Sequence, residues 1–353
     1  MPLERNDDGV LVHEVGYVLD RASAQGRVNY SYHAWRKLRE LLRGQDVDIV
    51  NVDFFLAEGL LYALRKRQAP LVLQTHAWAE GWTEPFAHGL VGWGEQKIAS
   101  TLEKITAKKA DGIIATSNFT KKWLTEKAGV PEKKVTVIYE FIDTTRYRPV
   151  KSTTRQRLGI EENDPLVLFV AGLETRKGPL VLIKAIPLVL KQVPNCKFLI
   201  IGRDTNMAPG GKSMKEHLQT LAEKQGFSEK LIFAGVASHD DVVEAYSSCD
   251  LFVYPGLLEA GGLPPLEAMA CNCPVVATAT GISAELGEIS PAFSVVKPGD
   301  PEALAEGILH LLSIPKEQRK EQSSQHRQIV EEKFNFEHMV DQILAFYEKI
   351  LNG

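Results

Sequence analysis

The chain has only four cysteines in 353 residues, Cys196, Cys249, Cys271 and Cys273, which excludes a disulfide framework. Cys271-Asn272-Cys273 has the wrong spacing for a Cys-x-x-Cys metal or redox site, and the four are read as buried, inert thiols. Long apolar runs are missing, since none approaches the roughly 20 residues that span a bilayer. The start, Met1-Pro2-Leu3-Glu4-Arg5-Asn6-Asp7-Asp8, is charged and has no apolar signal-peptide core. A cytoplasmic location is therefore expected. Charge of one sign is not in excess, because the net charge is only −4. That removes the electrostatic footprint of a nucleic-acid binder. The first 150 residues carry 21 basic and 19 acidic side chains, the remainder 20 and 26. So weak an asymmetry is compatible with peripheral contact at the inner face of a membrane but does not argue for it. No Asp-x-Asp pair stands in a metal-binding context, so neither a metal nor a cofactor is expected. Short repeats and low-complexity tracts are absent as well.

What remains is an ordinary globular composition, 44% hydrophobic and 24% charged, in a chain long enough for two domains. Short apolar runs alternate with helical patterns. The runs are 47–52, 71–75, 112–116, 135–139, 166–170, 198–201, 231–234, 251–254 and 275–278. Most are continuously apolar, as in strands covered on both faces. Helical periodicity marks 54–67, 179–193 and 240–248 between them, and the tail from Lys316. The alternation predicts an α/β fold with parallel sheets. The polar stretch Asp143 to Gly159 reads as an interdomain linker. Two doubly wound domains facing each other would form a cleft, with ligands outside the carboxyl ends of the strands.

The most informative segment runs from Leu251 to Ala270. An apolar strand, Leu251 to Tyr254, leads into a loop with Glu259 and the glycine pair Gly261-Gly262. Pro264 and Pro265 then open a helix that carries Glu267, placed in its first turn. A helix N-terminus after two glycines can hold a diphosphate. With the prolines lacking N–H, the donors are the amides of Gly261, Gly262 and Leu263. Glu267 could accept hydrogen bonds from a ribose diol, and Glu259 from sugar hydroxyls. Carboxylates beside a phosphate site suit a sugar–diphosphate–nucleoside better than a bare polyphosphate. Taken singly, Glu267 could merely complement a helix dipole and Glu259 be a surface residue. The glutamate pair, the glycines and the strand–loop–helix setting together favour the site. A second basic turn, Thr175-Arg176-Lys177-Gly178, follows the strand that ends at Val170 and could neutralise a leaving diphosphate.

Glu259 and Glu267, with seven residues between them and continuing through Cys273-Pro274-Val275-Val276-Ala277-Thr278, closely resemble the retaining GT-B glycosyltransferases of the family-four type, glycosyl transferases group 1. The resemblance implies two Rossmann-like domains around a central cleft. It assigns Glu259 to the donor hexose and Glu267 to the nucleotide ribose. It makes the Arg176-Lys177 turn the diphosphate binder, although Gly172 stands where the family often has an arginine. Gly202 and Arg203 match the loop of the next strand, and Val236 the segment that packs the base. Asn272 stands where the family usually has a helix-ending glycine, and Glu285 also fits the pattern. His76, closing the run Leu71 to Thr75, is placed near the transferred sugar.

The implied domains are residues 1–147 with a returning helix 338–353, and residues 148–337. The implied reaction moves a hexose from a nucleotide-diphosphate sugar, the co-substrate, to an acceptor hydroxyl with retention. The acceptor would be a sugar, a lipid-linked group or a small molecule. Trp78, Trp82, Phe86 and Trp93 could stack on sugars or on such an acceptor, or pack a core. The basic clusters 36–39, 65–67 and 121–122 suit an anionic membrane surface or plain solvated helix faces. One departure concerns the start. Asp7 to Val15 resembles the family's third strand region, and no glycine-rich loop precedes it. An N-terminal domain without the first strand and its loop is therefore expected. The alternative reading is a catalytically impaired or non-catalytic nucleotide-sugar-binding protein.

Overall fold

A computed structural model describes residues 4–13, 15, 24–55, 58–78, 89–287 and 289–353. The chain divides into two units, Met1–Ile138 with Gln342–Gly353, and Tyr139–Asp341.

In the first unit, β1 (Glu4–Asp7) and β2 (Val10–His13) pair antiparallel. The turn between them holds Asp8 and Gly9 at φ 50° and 91°, which suits a two-residue hairpin. The segment compared above with a third strand region therefore forms a separate two-stranded sheet. The main sheet runs β3 (Val50–Asp53), β4 (Leu71–Thr75), β5 (Gly112–Ala115), β6 (Val135–Val137), all parallel. Leu71, Val72, Leu73, Ile113 and Ile114 are buried, as their continuous apolar runs require. The helix expected over 54–67 shrinks to Leu60–Ala63. Phe54 is still bonded to the sheet through its amide and Gln74 O, and Asp53 caps the amide of Phe55, so the chain leaves the strand through a turn.

Several expectations for this half change in the structure. Trp78 is buried and stacks on Trp123 with centroids 4.9 Å apart, so it packs the core. Trp82, Phe86 and the side chain of Trp93 lie outside the described residues. The guanidinium groups of Arg39 and Arg65 lie over the Trp35 ring, and Arg67 forks onto Asp111. These cations are engaged within the fold. Among the described residues no helix is long and apolar enough to cross a membrane. The last helix, Phe336–Asn352, joins the first unit from Gln342 onward, where Tyr347 Oη accepts from Asn51 Nδ2 at 2.7 Å.

The second unit is a six-stranded parallel sheet. Its strands are β7 (Leu166–Val170), β8 (Lys197–Ile201), β9 (Leu231–Gly235), β10 (Leu251–Tyr254), β11 (Val275–Thr278) and β12 (Phe293–Val296). Their spatial order is β12-β11-β10-β7-β8-β9. The chain thus builds outward from β7 in one direction, then returns and builds outward in the other. Side chains of β7 alternate between two cores. Leu166 and Leu168 pack with Tyr246, Phe252 and Leu266, while Val167 and Phe169 pack with Leu182, Ile186 and Ile308. β12 is unforeseen by the sequence reading, because it is half-buried and carries Ser294 in its middle.

The polar stretch Asp143 to Gly159, read above as a linker, is bonded to the second unit. Val150 N donates to Ser247 Oγ, and Arg155 pairs with the buried Asp250, which also accepts from Arg319 and from Leu166 N. Residues 154–157 form a helical turn. The unit therefore begins at Tyr139, ahead of the polar stretch.

Buried His326 donates from Nδ1 to Cys273 O at 3.0 Å, which leaves Nε2 to accept from Ser290 Oγ at 2.7 Å. Burial lowers its pKa from the ordinary 6.5 to about 4. Protons then bind the unfolded chain first as pH falls, so stability is lost from about pH 6.5 downward and the loss is complete below about pH 4. Urea unfolding across this window should show a decline of up to about 3 kcal/mol. His326→Gln should flatten that part of the profile, and an unchanged slope would contradict the assignment.

Candidate active site

Strand order positions the site. β7 and β10 are neighbours whose following loops lead to opposite halves of the sheet, the topological switch point where α/β sheets open a crevice. The loop after β7 carries Arg176 and Lys177 in a 3₁₀ turn, Thr175–Lys177. The loop after β10 carries Glu259, Gly261 and Gly262. The two loops dock through their backbones. Leu257 N donates to Arg176 O at 2.7 Å. Gly178 has φ +75°, and a Cβ there would lie 1.8 Å from Pro255 O, so only glycine allows this approach.

The side chains converge on one carboxylate. Glu259 Oε1 accepts from Arg176 Nη1 at 3.0 Å and from Lys177 Nζ at 2.5 Å. Arg176 Nε also binds Glu174 Oε2 at 2.9 Å, and Lys177 Nζ donates to Tyr254 Oη at 2.9 Å. Glu259 is 9% exposed, so its charge depends on these partners. Burial, and next the charge of Glu259, push the Tyr254 hydroxyl well above its usual pKa, which keeps it protonated. The structure thus brings Arg176, Lys177 and Glu259 into contact, 82 and 83 positions apart in sequence.

The helix after the loop is Leu263–Ala270, with Gly262 as a left-handed N-cap at φ 106°. The amides of Gly261, Gly262 and Leu263 edge its positive end, where first-turn amides have no intrahelical partners. Glu267 is the fifth residue of this helix and so stands in its second turn, not the first. The dipole falls off within one turn and does not hold it there. Tyrosines do. Tyr246 Oη donates to Glu267 Oε2 at 3.1 Å, and the Tyr147 hydroxyl acts on the same carboxyl, each favouring its ionised form. Burial outweighs both and raises the Glu267 pKa.

Gly202 N donates to Gly235 O at 2.8 Å, joining the carboxyl ends of β8 and β9. Arg203, just after β8, and Val236, just after β9, are exposed there. His76 is exposed at the carboxyl end of β4 in the first unit. Glu285, also singled out by the sequence, accepts from Tyr139 Oη at 2.6 Å. Asn272 has φ 55°, the left-handed value expected where a helix ends.

Sequence reasoning gave no role to Glu174, Tyr254, Tyr246, Tyr147 or Gly281. Glu174, two positions before Arg176, carried a legible signal. Tyr254 and Tyr246 fall in a strand and a helical pattern and Tyr147 in the polar stretch after Asp143, with no local signal of a carboxylate partner. At Gly281 a Cβ would sit 2.1 Å from Gly261 O, and Ile282 N bonds that same oxygen. Gly281 therefore fixes the glycine pair from the next loop.

Residues 150–329 match the family described as Glycosyl transferases group 1, and residues 2–146 match Glycosyltransferase Family 4. The chain belongs to the glycosyl transferases group 1 family. An uncharacterized glycosyltransferase of Methanocaldococcus jannaschii is 28% identical over 224 residues, 62% of this chain and 55% of that protein. A D-inositol 3-phosphate glycosyltransferase of Mycobacterium sp. (strain KMS) is 27% identical over 66% of this chain and 52% of its own length. The chain spans about half the length of these curated relatives. Sucrose-phosphate synthase from Thermosynechococcus elongatus has a TM-score of 0.77 at 19% identity, covering 96% of this chain and 82% of that one. HepE of Anabaena in complex with UDP has a TM-score of 0.71 at 21% identity, covering 92% and 84%. The fold of this chain is of the GT-B type, with two Rossmann-like α/β domains.

Because the folded pKa of Glu267 is raised, the unfolded chain loses its proton first, so stability falls as pH rises from about 4.5 to the folded value and stays lower above it. Glu267→Gln should therefore melt at a higher temperature than the parent at pH 7, and the difference should close at pH 4 and below, where the parent carboxyl is neutral. A variant that melts lower at pH 7 would contradict this.

Proposed function

We propose that this glycosyltransferase moves a hexose from a nucleotide-diphosphate sugar to an acceptor hydroxyl with retention at the anomeric carbon. The observation that carries the reading is the convergence of Arg176 and Lys177 on Glu259 at the β7/β10 switch point. Two cations on one loop, Arg176 and Lys177, and the helix N-terminus that ends the other loop would together receive a diphosphate, and Glu259 now occupies the cations. An incoming diphosphate competes with Glu259 for Arg176 and Lys177. Once it has taken them over, Glu259 is released to accept from hexose hydroxyls. The cations and the Gly261 to Leu263 amides then stabilise the charge that grows on the departing diphosphate. Glu267 accepts from the ribose diol, and its cost in stability is in keeping with a residue retained for binding.

Arg203 and Val236 stand at the carboxyl ends of β8 and β9 as candidates for the phosphate and base ends of the donor. His76 is assigned to the acceptor side. UDP-sugars are the first donors to test, since HepE of Anabaena was solved with UDP and with UDP-glucose. The acceptor is a hydroxyl-bearing sugar, lipid-linked group or small molecule.

A thermal-shift screen against UDP, GDP and ADP sugars, followed by transfer assays with the best donor, tests the proposal. The anomeric configuration of the product, read by NMR, tests retention. Glu259→Gln should lower turnover by about 100-fold or more. Nucleotide affinity should hold or improve, because the cations lose their internal competitor. Full turnover in that variant removes Glu259 from the mechanism. Donor binding without transfer across an acceptor panel would favour a nucleotide-sugar-binding protein instead.

A further inference from the structure

At the amino ends of the strands, opposite the donor loops, lies a cluster of three thiols. Cys249 Sγ and Cys273 Sγ are 3.2 Å apart. The ladder brings them together. Cys249 closes the helix His239–Ser248 just before β10, and Cys273 closes the turn just before β11. Phe252 N donates to Pro274 O at 2.8 Å, and Phe252 is in register with Val275. Neighbouring strands lie about 4.8 Å apart, within the range of Cα separations that a disulfide spans. Cys249 is only partly buried, while Cys271 and Cys273 are buried. A cavity of about 240 Å³ is lined by all three thiols together with Asn272, Pro274 and Arg319, and it admits a small reagent. Cys196 packs in the other core, on the opposite face of the sheet.

We propose that Cys249 and Cys273 form a reversible disulfide that closes a covalent ring around the segment carrying Glu259, Gly261, Gly262 and Glu267. The oxidant is a peroxide. The Cys249 thiolate attacks the peroxide O–O bond, giving a sulfenic acid and, from hydrogen peroxide, hydroxide. The Cys273 sulfur then attacks the Cys249 sulfur. The S–O bond breaks, and water leaves with the Cys273 proton. Two thiols lose two electrons, and one peroxide becomes two waters. Burial pushes the Cys273 thiol well above its usual pKa and the Cys271 thiol up to about 12, so the partly exposed Cys249 is the sulfur that meets the oxidant. The ring spans β10, the loop after it and the helix Leu263–Ala270. Its closure is independent of which sugar the site takes.

The test uses the full chain in its native state. It is treated with hydrogen peroxide, trapped with N-ethylmaleimide and digested without reduction. The expected product is one peptide pair joined at Cys249 and Cys273, two hydrogens lighter than the sum of its reduced peptides and released by dithiothreitol. Cys273→Ser should abolish the pair and leave Cys249 over-oxidised, whereas Cys196→Ser should form it as the parent does. The oxidised parent should melt several degrees higher than the reduced form, since the cross-link constrains the unfolded segment. A pair joined at Cys271, over-oxidation of Cys249 in the parent, or unmodified thiols would each overturn the bond. A joined pair with an unchanged melting temperature would overturn the constraint on the donor segment.

Discussion

The reversal of strand order between β7 and β10 is the constraint on which the second unit depends. Two loops that leave adjacent strands for opposite halves of the sheet open a crevice without any special sequence. Sequence then furnishes that crevice. Gly178 lets the first loop press on Pro255, and Leu257 ties the second loop back to Arg176. With the backbones docked, the basic turn meets two carboxylates, Glu174 on its own loop and Glu259 on the next, and both cations converge on Glu259. A buried carboxylate is costly alone, and two cations on one oxygen offset that cost. The same pairing stores the cations where an anionic ligand can claim them.

The two glutamates are held by different physics. Glu259 is held by charge, through Arg176 and Lys177. Glu267 is held by the Tyr246 hydroxyl from the helix His239–Ser248. No cation is in direct contact with it among the described hydrogen bonds and ion pairs, so burial dominates and raises its pKa. One carboxylate is balanced by cations, the other is buried against a tyrosine hydroxyl with its charge disfavoured. That division suits a ligand whose one end changes charge during reaction while its other end serves as an anchor.

Both ends of the sheet are chemically loaded. Carboxyl ends carry the ion-paired crevice, and amino ends carry the thiol cluster. The segment from β10 to β11 joins them, and its helix packs against the helix Lys316–Lys333. The His326 contact with Cys273 O ties that long helix to the same turn. A change at the thiols therefore acts on a short, well-anchored piece of chain that also bears the glutamates.

The sequence alone determined the fold class, because continuous apolar runs alternating with helical periods have few solutions other than covered parallel sheets. It also singled out the loop after β10, because glycines, prolines and two glutamates carry local chemistry that needs no partner to be read. The left-handed Asn272 and the family resemblance belong with these. What only the tertiary structure decided is what depends on neighbours distant in sequence. The half-buried β12 needed β11 to become a strand. The polar stretch after Asp143 proved to be packed chain, since its partners Ser247, Glu244 and Asp250 lie far along the sequence. Glu267 moved to the second helical turn, because the helix starts at Leu263, ahead of the prolines. Tyr246 and Tyr254 fall in a helical pattern and a strand in sequence and act as hydrogen-bond partners in space. Residue types and local spacing set what each group can do, and the order of strands in the sheet sets which groups meet.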